Sequence, residues 1–249
     1  MQKLIDEGVQ IESVVTDPPY ELGFMGKSWD ASGIAFDKKT WELAFQLLKP
    51  GGYLLAFSAS RNYHRMAVAV EDAGFEIRDQ IMWIYGSGFP KSLNLGDGWG
   101  TALKPAHEPI VMARKFIEGT NKNNREKYGT GGINIDGCRV GKEILEEQIA
   151  GRSNKIGTFE RKDMITPKRE GRFPANVMHD GSDVVQDIFP NSKGSSGNGN
   201  AKVGETSKGA IPLRRGEAPL YNDEGSASRY FYCPKTAKSE RNQWLIELS

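Results

Sequence analysis

Apolar residues over the first half of the chain fall into short blocks, and their spacing changes from block to block. Ile11 to Thr16 is a compact β-branched run and predicts a buried parallel strand. From Asp37 to Leu48, the residues Trp41, Ala44, Phe45 and Leu48 recur at helical spacing, and Lys49-Pro50-Gly51-Gly52 supplies a stop. Tyr53 to Ser58 predicts a second buried strand, Asn62 to Ala73 a second helix ended by Gly74, Phe75 to Tyr85 a third strand and Glu108 to Arg114 a fourth. Strands spaced by helices predict parallel βαβ units and an α/β sheet. The pattern weakens after residue 116. From Ile117 to Ser228, Gly, Ser, Asn, Lys and Glu dominate; a helical piece is predicted near Lys142 to Ala150, and Ser192 to Gly209 has a low-complexity composition that predicts mobility. Arg229 to Cys233 predicts a return strand, and no internal repeat is present. Three regions result: a catalytic-type α/β region over 1–116, a loop-rich insertion over 117–228, and a return strand with a terminal segment over 229–249.

Composition narrows the picture without naming a function. A length of 249 residues fits one large domain or a domain with a sizeable insertion. Lys and Arg total 33 against 32 Asp and Glu, so any basic surface for nucleic acid must be local. Cys138 and Cys233 are far apart and lack metal-ligand spacing, which predicts reduced thiols in a cytoplasmic protein. Neither an apolar signal region nor an apolar run of about 18 residues occurs, so neither secretion nor a membrane span is indicated.

Candidate chemistry sits directly after the first predicted strand, in Asp17-Pro18-Pro19-Tyr20. Proline fixes φ and removes a backbone donor, so its carbonyl faces outward as an acceptor without a competing N–H. The Asp17 carboxylate is a second acceptor and the Tyr20 ring a stacking platform. Two acceptors and a π-face suit the amino group of adenine or cytosine turned out of a duplex. A plain turn is the alternative, since Asp and Pro both favour turns; placement beyond the C-terminal end of a strand, where open α/β sheets bind ligands, favours a site.

Beyond that tetrapeptide, Thr16 to Tyr20 together with Leu22 to Asp30, Leu48 to Gly52, Trp83 to Ser92, Lys104 to Ile110, Asn134 to Gly137, Arg172 to Val177 and Ser228 to Cys233 resembles the amino-group DNA methyltransferases. The resemblance is to the permuted type with the catalytic half first, carried by many phages and prophages. It implies a partial Rossmann-like methyltransferase sheet with a loop-rich target-recognition insertion, S-adenosylmethionine as cofactor and double-stranded DNA as partner. It further implies methylation of adenine N6 by Asp17, Pro18, Pro19 and Tyr20, with Asp17 also facing the cofactor; the acidic first residue favours adenine over cytosine N4.

The same resemblance implies that Trp83 or Tyr85 closes the other wall of a base pocket. Phe24 and Trp29 are candidates for the pocket or for flanking DNA. Lys27, Lys91, Lys104, Arg114 and Lys115 are candidates for phosphate contacts if they share a face. His107 and His179 lack metal-ligand partners in the sequence, and structural roles are expected for both. Family members continue into a glycine-rich Asp-Pro-Phe-x-Gly-Ser-Gly turn that binds the cofactor, and nothing after Asn242 matches it. Three expectations follow: an enzyme whose cofactor half comes from a second chain or a homodimer, a catalytically incomplete DNA-binding fragment, or an unrelated α/β module in which the tetrapeptide is structural.

Overall fold

The computed structural model describes residues 1–23, 28–90, 92–146, 168–193 and 224–231. After a short helix α1 (Gln2–Asp6), strand β1 spans Ile11–Thr16. Helix α2 (Lys38–Leu47) leads into β2 (Leu48–Phe57), and helix α3 (Tyr63–Asp72) into β3 (Glu76–Ile84). A long connection carries the small hairpin β4 (Asn94–Gly96) and β5 (Trp99–Gly100) before β6 (His107–Arg114). Further on come α4 (Asn121–Tyr128), the antiparallel pair β7 (Val140–Glu146) and β8 (Lys168–Arg172), then β9 (Val177–His179) and α5 (Asp183–Gln186).

The main sheet has the order β1-β2-β6-β3-β9. Strand β1 runs parallel to β2 and β9 parallel to β3, whereas β6 is antiparallel to both β2 and β3. The α/β class is as expected, but the purely parallel sheet is corrected. The connection between β3 and β6 lacks a crossover helix, so β6 returns beside β3 and lies between β3 and β2. Four strand C-termini and the start of β6 therefore share one end of the sheet.

The core is one face of this sheet under α2 and α3. Leu48, Leu54 and Ala56 of β2 and Val111 and Ala113 of β6 pack with Trp41, Ala44, Met66, Ala69 and Val70. Asp37 caps α2, its side chain accepting from Lys39 N at 3.0 Å. The buried Trp41 indole donates to Ala35 O at 3.0 Å, and Phe45 meets Phe75 edge to face with centroids 5.1 Å apart.

Four further expectations are corrected. Lys49 to Gly52 does not separate helix from strand but forms the first, irregular part of β2, where the register with β1 shifts between Ile11 and Ser13. Gly51 takes φ +78° there, and a Cβ would collide with Asn124 Nδ2. Strand β1 is not buried on both sides: it forms the sheet edge, and Val15 is 65% exposed. Residues 142–146 belong to strand β7 rather than a helix, because antiparallel pairing with the distant β8 overrides local helix preference. Ala227–Tyr230 forms a 3-10 turn instead of the start of a return strand, as the Ser226 hydroxyl accepts from Ser228 N at 3.3 Å and Arg229 folds back onto Ser226 O at 2.6 Å. Residues 147–150, the low-complexity stretch beyond Lys193, Cys233 and the terminal segment lie outside the described residues.

Candidate active site

Strand β1 ends at Thr16, and Asp17-Pro18-Pro19-Tyr20 follows as irregular backbone at the C-terminal end of the sheet. Asp17 is exposed and the next three residues are half-buried. Tyr20 crosses toward β6, where its hydroxyl donates to Glu108 Oε2 at 3.1 Å. Its carbonyl accepts from Asn62 Nδ2 at 2.6 Å, just before α3. The Asn62 Oδ1 is buried and has no hydrogen-bond partner among the described residues, leaving an acceptor open beside the tetrapeptide.

Burial pushes the Tyr20 phenol well up from its ordinary value, and the Glu108 and Asp17 carboxylates push it further in the same direction. Tyr20 is therefore a neutral donor with an uncharged ring at physiological pH. Burial, then Glu108, also raises the Tyr85 phenol. Trp83 stands directly opposite Glu108 in the β3–β6 ladder, and side-chain alternation puts Trp83, Tyr85 and Glu108 on the same side of the sheet. Both aromatic candidates from β3 thus share a face with the carboxylate that holds Tyr20.

Beyond β3, the Gly86 N–H donates to Asp180 Oδ2 at 3.2 Å and the Gly86 carbonyl accepts from Lys104 Nζ at 2.6 Å. Burial pushes the Asp180 carboxyl up, but hydrogen bonds from Ser182 and Gly86 outweigh it and hold the group below its ordinary value. Gly88 is required because a Cβ would run into Pro105 O, where the two arms of the connection touch. A cleft of about 700 Å³ opens beside the tetrapeptide, lined in part by Leu22, Ala59, Arg61, Leu103, Lys104 and His107.

The proposed phosphate contacts do not share a face. Lys104 is at the site end. Arg114 and Lys115 close β6 at the other end, where Arg114 is buried, bonded to Glu76 Oε2 at 2.7 Å, and Lys115 Nζ donates to Phe45 O and Leu48 O at 2.9 and 2.7 Å. Burial lowers the Lys115 ammonium, consistent with a cap on the α2 C-terminus. His179 is buried and its Nδ1 accepts from Gly181 N at 3.1 Å, a structural contact. Phe24, Lys27 and Lys91, and the side chain of Trp29, lie outside the described residues. Among the described residues no group of His, Cys, Asp and Glu could hold a metal ion, and no helix is long and apolar enough to cross a membrane.

Glu108 and Asn62 carry no local signal of a role. Glu108 lies inside the Lys104 to Ile110 segment, but its partner is 88 residues away and no local spacing links them.

The fold is an α/β sheet with an acid, two prolines and an anchored tyrosine directly beyond the end of its edge strand. The chain belongs to the amino-group DNA methylase family: the family model, described as DNA methylase, matches residues 11–209. Among solved structures, the M1.HpyAVI–SAM complex is 19% identical with TM-score 0.32, over 46% of this chain and 49% of that one. TTHA0409 from Thermus thermophilus, complexed with S-adenosyl-L-methionine, is 23% identical with TM-score 0.33, over 51% and 56%. A methyltransferase from Pyrococcus furiosus is 15% identical with TM-score 0.26, over 44% and 43%. The chain spans about half the length of these structures.

Proposed function

We propose that the chain forms the base-binding part of a DNA methyltransferase that methylates the exocyclic amino nitrogen of a base turned out of the duplex, adenine N6 before cytosine N4. The observation that carries this is Asp17-Pro18-Pro19-Tyr20 at a strand C-terminus, anchored at Tyr20 in a chain of this family. An amino nitrogen conjugated with its ring is a weak nucleophile. Asp17 and the Pro18 carbonyl accept its two hydrogens and localise its lone pair, while Tyr20 stacks on the ring. S-adenosylmethionine, with its sulfonium facing the Asp17 carboxylate, would supply an electrophilic methyl to that nitrogen and would leave as the neutral thioether. The amino nitrogen then loses one proton, for which Asp17 is the adjacent acceptor. The acidic first residue of the tetrapeptide favours adenine.

The described residues fit one end of that cofactor. The exposed Asp17 carboxylate suits a sulfonium by charge. None of the described strand ends turns through a glycine-rich loop into a helix, the form a nucleotide or methionine end requires: β3 leads through Gly86-Ser87-Gly88 into Phe89-Pro90. We assign the rest of the cofactor site to a second chain or a second copy. Among the described residues no strand pairs with the outer edge of β1, and such an edge is a ready template for another chain, which supports this. Residues 117–228 are assigned to target recognition, and Lys104 to a backbone phosphate, in a cytoplasmic protein.

The test is transfer of labelled methyl groups to unmethylated duplex DNA, with nucleoside mass spectrometry to separate N6-methyladenine from N4-methylcytosine. N6-methyladenine is expected. Calorimetry with S-adenosylmethionine, alone and with DNA or candidate partner chains, decides whether the chain works as an enzyme. No heat under any of these conditions would leave a DNA-binding protein without catalysis.

A further inference from the structure

We infer that Glu108 and Asn62 are positioning residues that hold Tyr20 at both ends, fixing its ring as the platform for the extruded base. The inference rests on the proposed methyl transfer and adds two residues to it.

The tetrapeptide follows an edge strand and is itself irregular backbone, so the sheet ladder does not fix the Tyr20 ring. Its anchors come from elsewhere. Asn62, directly before α3, holds the Tyr20 carbonyl at 2.6 Å, and Glu108, in the antiparallel strand on the far side of β2, holds its hydroxyl at 3.1 Å. Glu108 is rigidly placed, since Pro109 beside it is fully buried and its carbonyl accepts from Ser58 N at 2.9 Å. A stacking platform is useful only if it is still when the base arrives, because ordering it later costs side-chain entropy. Two contacts at opposite ends of one residue remove both backbone and ring freedom. Burial first, and the Glu108 carboxylate after it, push the phenol up from its ordinary value, so the ring beneath the base is neutral.

The experiment uses the full chain with tyrosines labelled by ¹³C at Cζ, in wild type, Tyr20→Phe, Glu108→Ala, Glu108→Gln and Asn62→Ala. Loss of one signal in Tyr20→Phe identifies Tyr20. Its resonance should move in Glu108→Ala and return most of the way in Glu108→Gln, which keeps an acceptor. In transfer assays, Glu108→Ala should lower kcat about tenfold or more, the scale of one hydrogen bond to a charged group. KM for DNA should change little, because duplex affinity comes mainly from phosphate contacts. Tyr20→Phe should lose the same factor, and the Tyr20→Phe/Glu108→Ala double variant should lose no more than either single change. Asn62→Ala should broaden the Tyr20 signal and lower kcat. Thermal melting guards against misfolding, with Glu108→Gln as the variant that must stay folded.

A Tyr20 resonance unmoved in Glu108→Ala overturns the clamp whatever the activity. A moved resonance with wild-type kcat, or additive losses in the double variant, overturns the positioning role. Failure of the wild-type chain to methylate any duplex, alone or complemented, instead removes the methyltransferase reading on which the role rests.

Discussion

Asp17 stands one residue past the end of β1 with an exposed carboxylate, while Tyr20 three residues later is anchored on two sides. The Asp17 carboxylate also lies close to the Tyr20 hydroxyl, but the anchors of Tyr20 on Asn62 and Glu108 do not depend on it. Asp17→Ala should therefore abolish methyl transfer, with melting temperature and duplex affinity close to wild type. Transfer at the wild-type rate would remove Asp17 from the chemistry. The tetrapeptide's types and order were legible in the sequence because acid, prolines and aromatic are contiguous. Glu108 was not, because its role exists only once β6 lies two strands away from β1.

At the scale of elements, the far end of the sheet is fastened by contacts between β2, β6, α4 and the turn after it. Gly51 at φ +78° lies against Asn124 and Gly131, its N–H donating to Lys115 O at 3.1 Å and its carbonyl accepting from Gly131 N at 3.0 Å. Gly51→Ala should cost about 2 kcal/mol or more in urea unfolding, because the new methyl meets backbone and a left-handed conformation together. The Arg114 guanidinium, hydrogen-bonded to Glu76, holds that carboxyl below its ordinary value of 4.5, and Arg78 adds to the effect. The sign follows: the contribution is fully present above about pH 4.5 and is lost as pH falls through the lowered folded value. Glu76→Gln should destabilise by about 1 kcal/mol at pH 7, screening at the part-exposed carboxylate included. That difference should shrink in urea titrations repeated at falling pH below about 4.5.

Helix and strand boundaries over residues 11–84 were largely legible, since each block carries its own period and its own stop: Asp37 caps α2 and Gly74 follows α3. Residues 142–146 were not, because a Lys, Glu, Ile and Leu mixture serves helix and strand alike and β8 alone makes the choice.

At the scale of the molecule, cations that look alike in the sequence separate into two ends. Lys104 lies at the cleft, and Lys115 caps α2 at the opposite end. Lys104→Ala should reduce the slope of log affinity against log salt by about 1, the value for one lost phosphate contact. Lys115→Met should leave that slope unchanged and lower the melting temperature. An equal loss of slope from both variants would place Lys115 on the DNA side and contradict the sheet geometry.

The sequence by itself determined the α/β class, the limits of β1, α2, α3 and β3 to within a residue, and the identity of the acceptor–aromatic tetrapeptide. Those depend on local period, on stops and on contiguous residue types, which the chain carries within a dozen positions. Tertiary structure decided the direction of β6, the exposed position of β1 at the edge, the separation of Lys104 from Arg114 and Lys115, and the union of Tyr20 with Glu108 and Asn62. Each of these depends on which strand pairs with which, and pairing is set by burial of one shared face under α2 and α3.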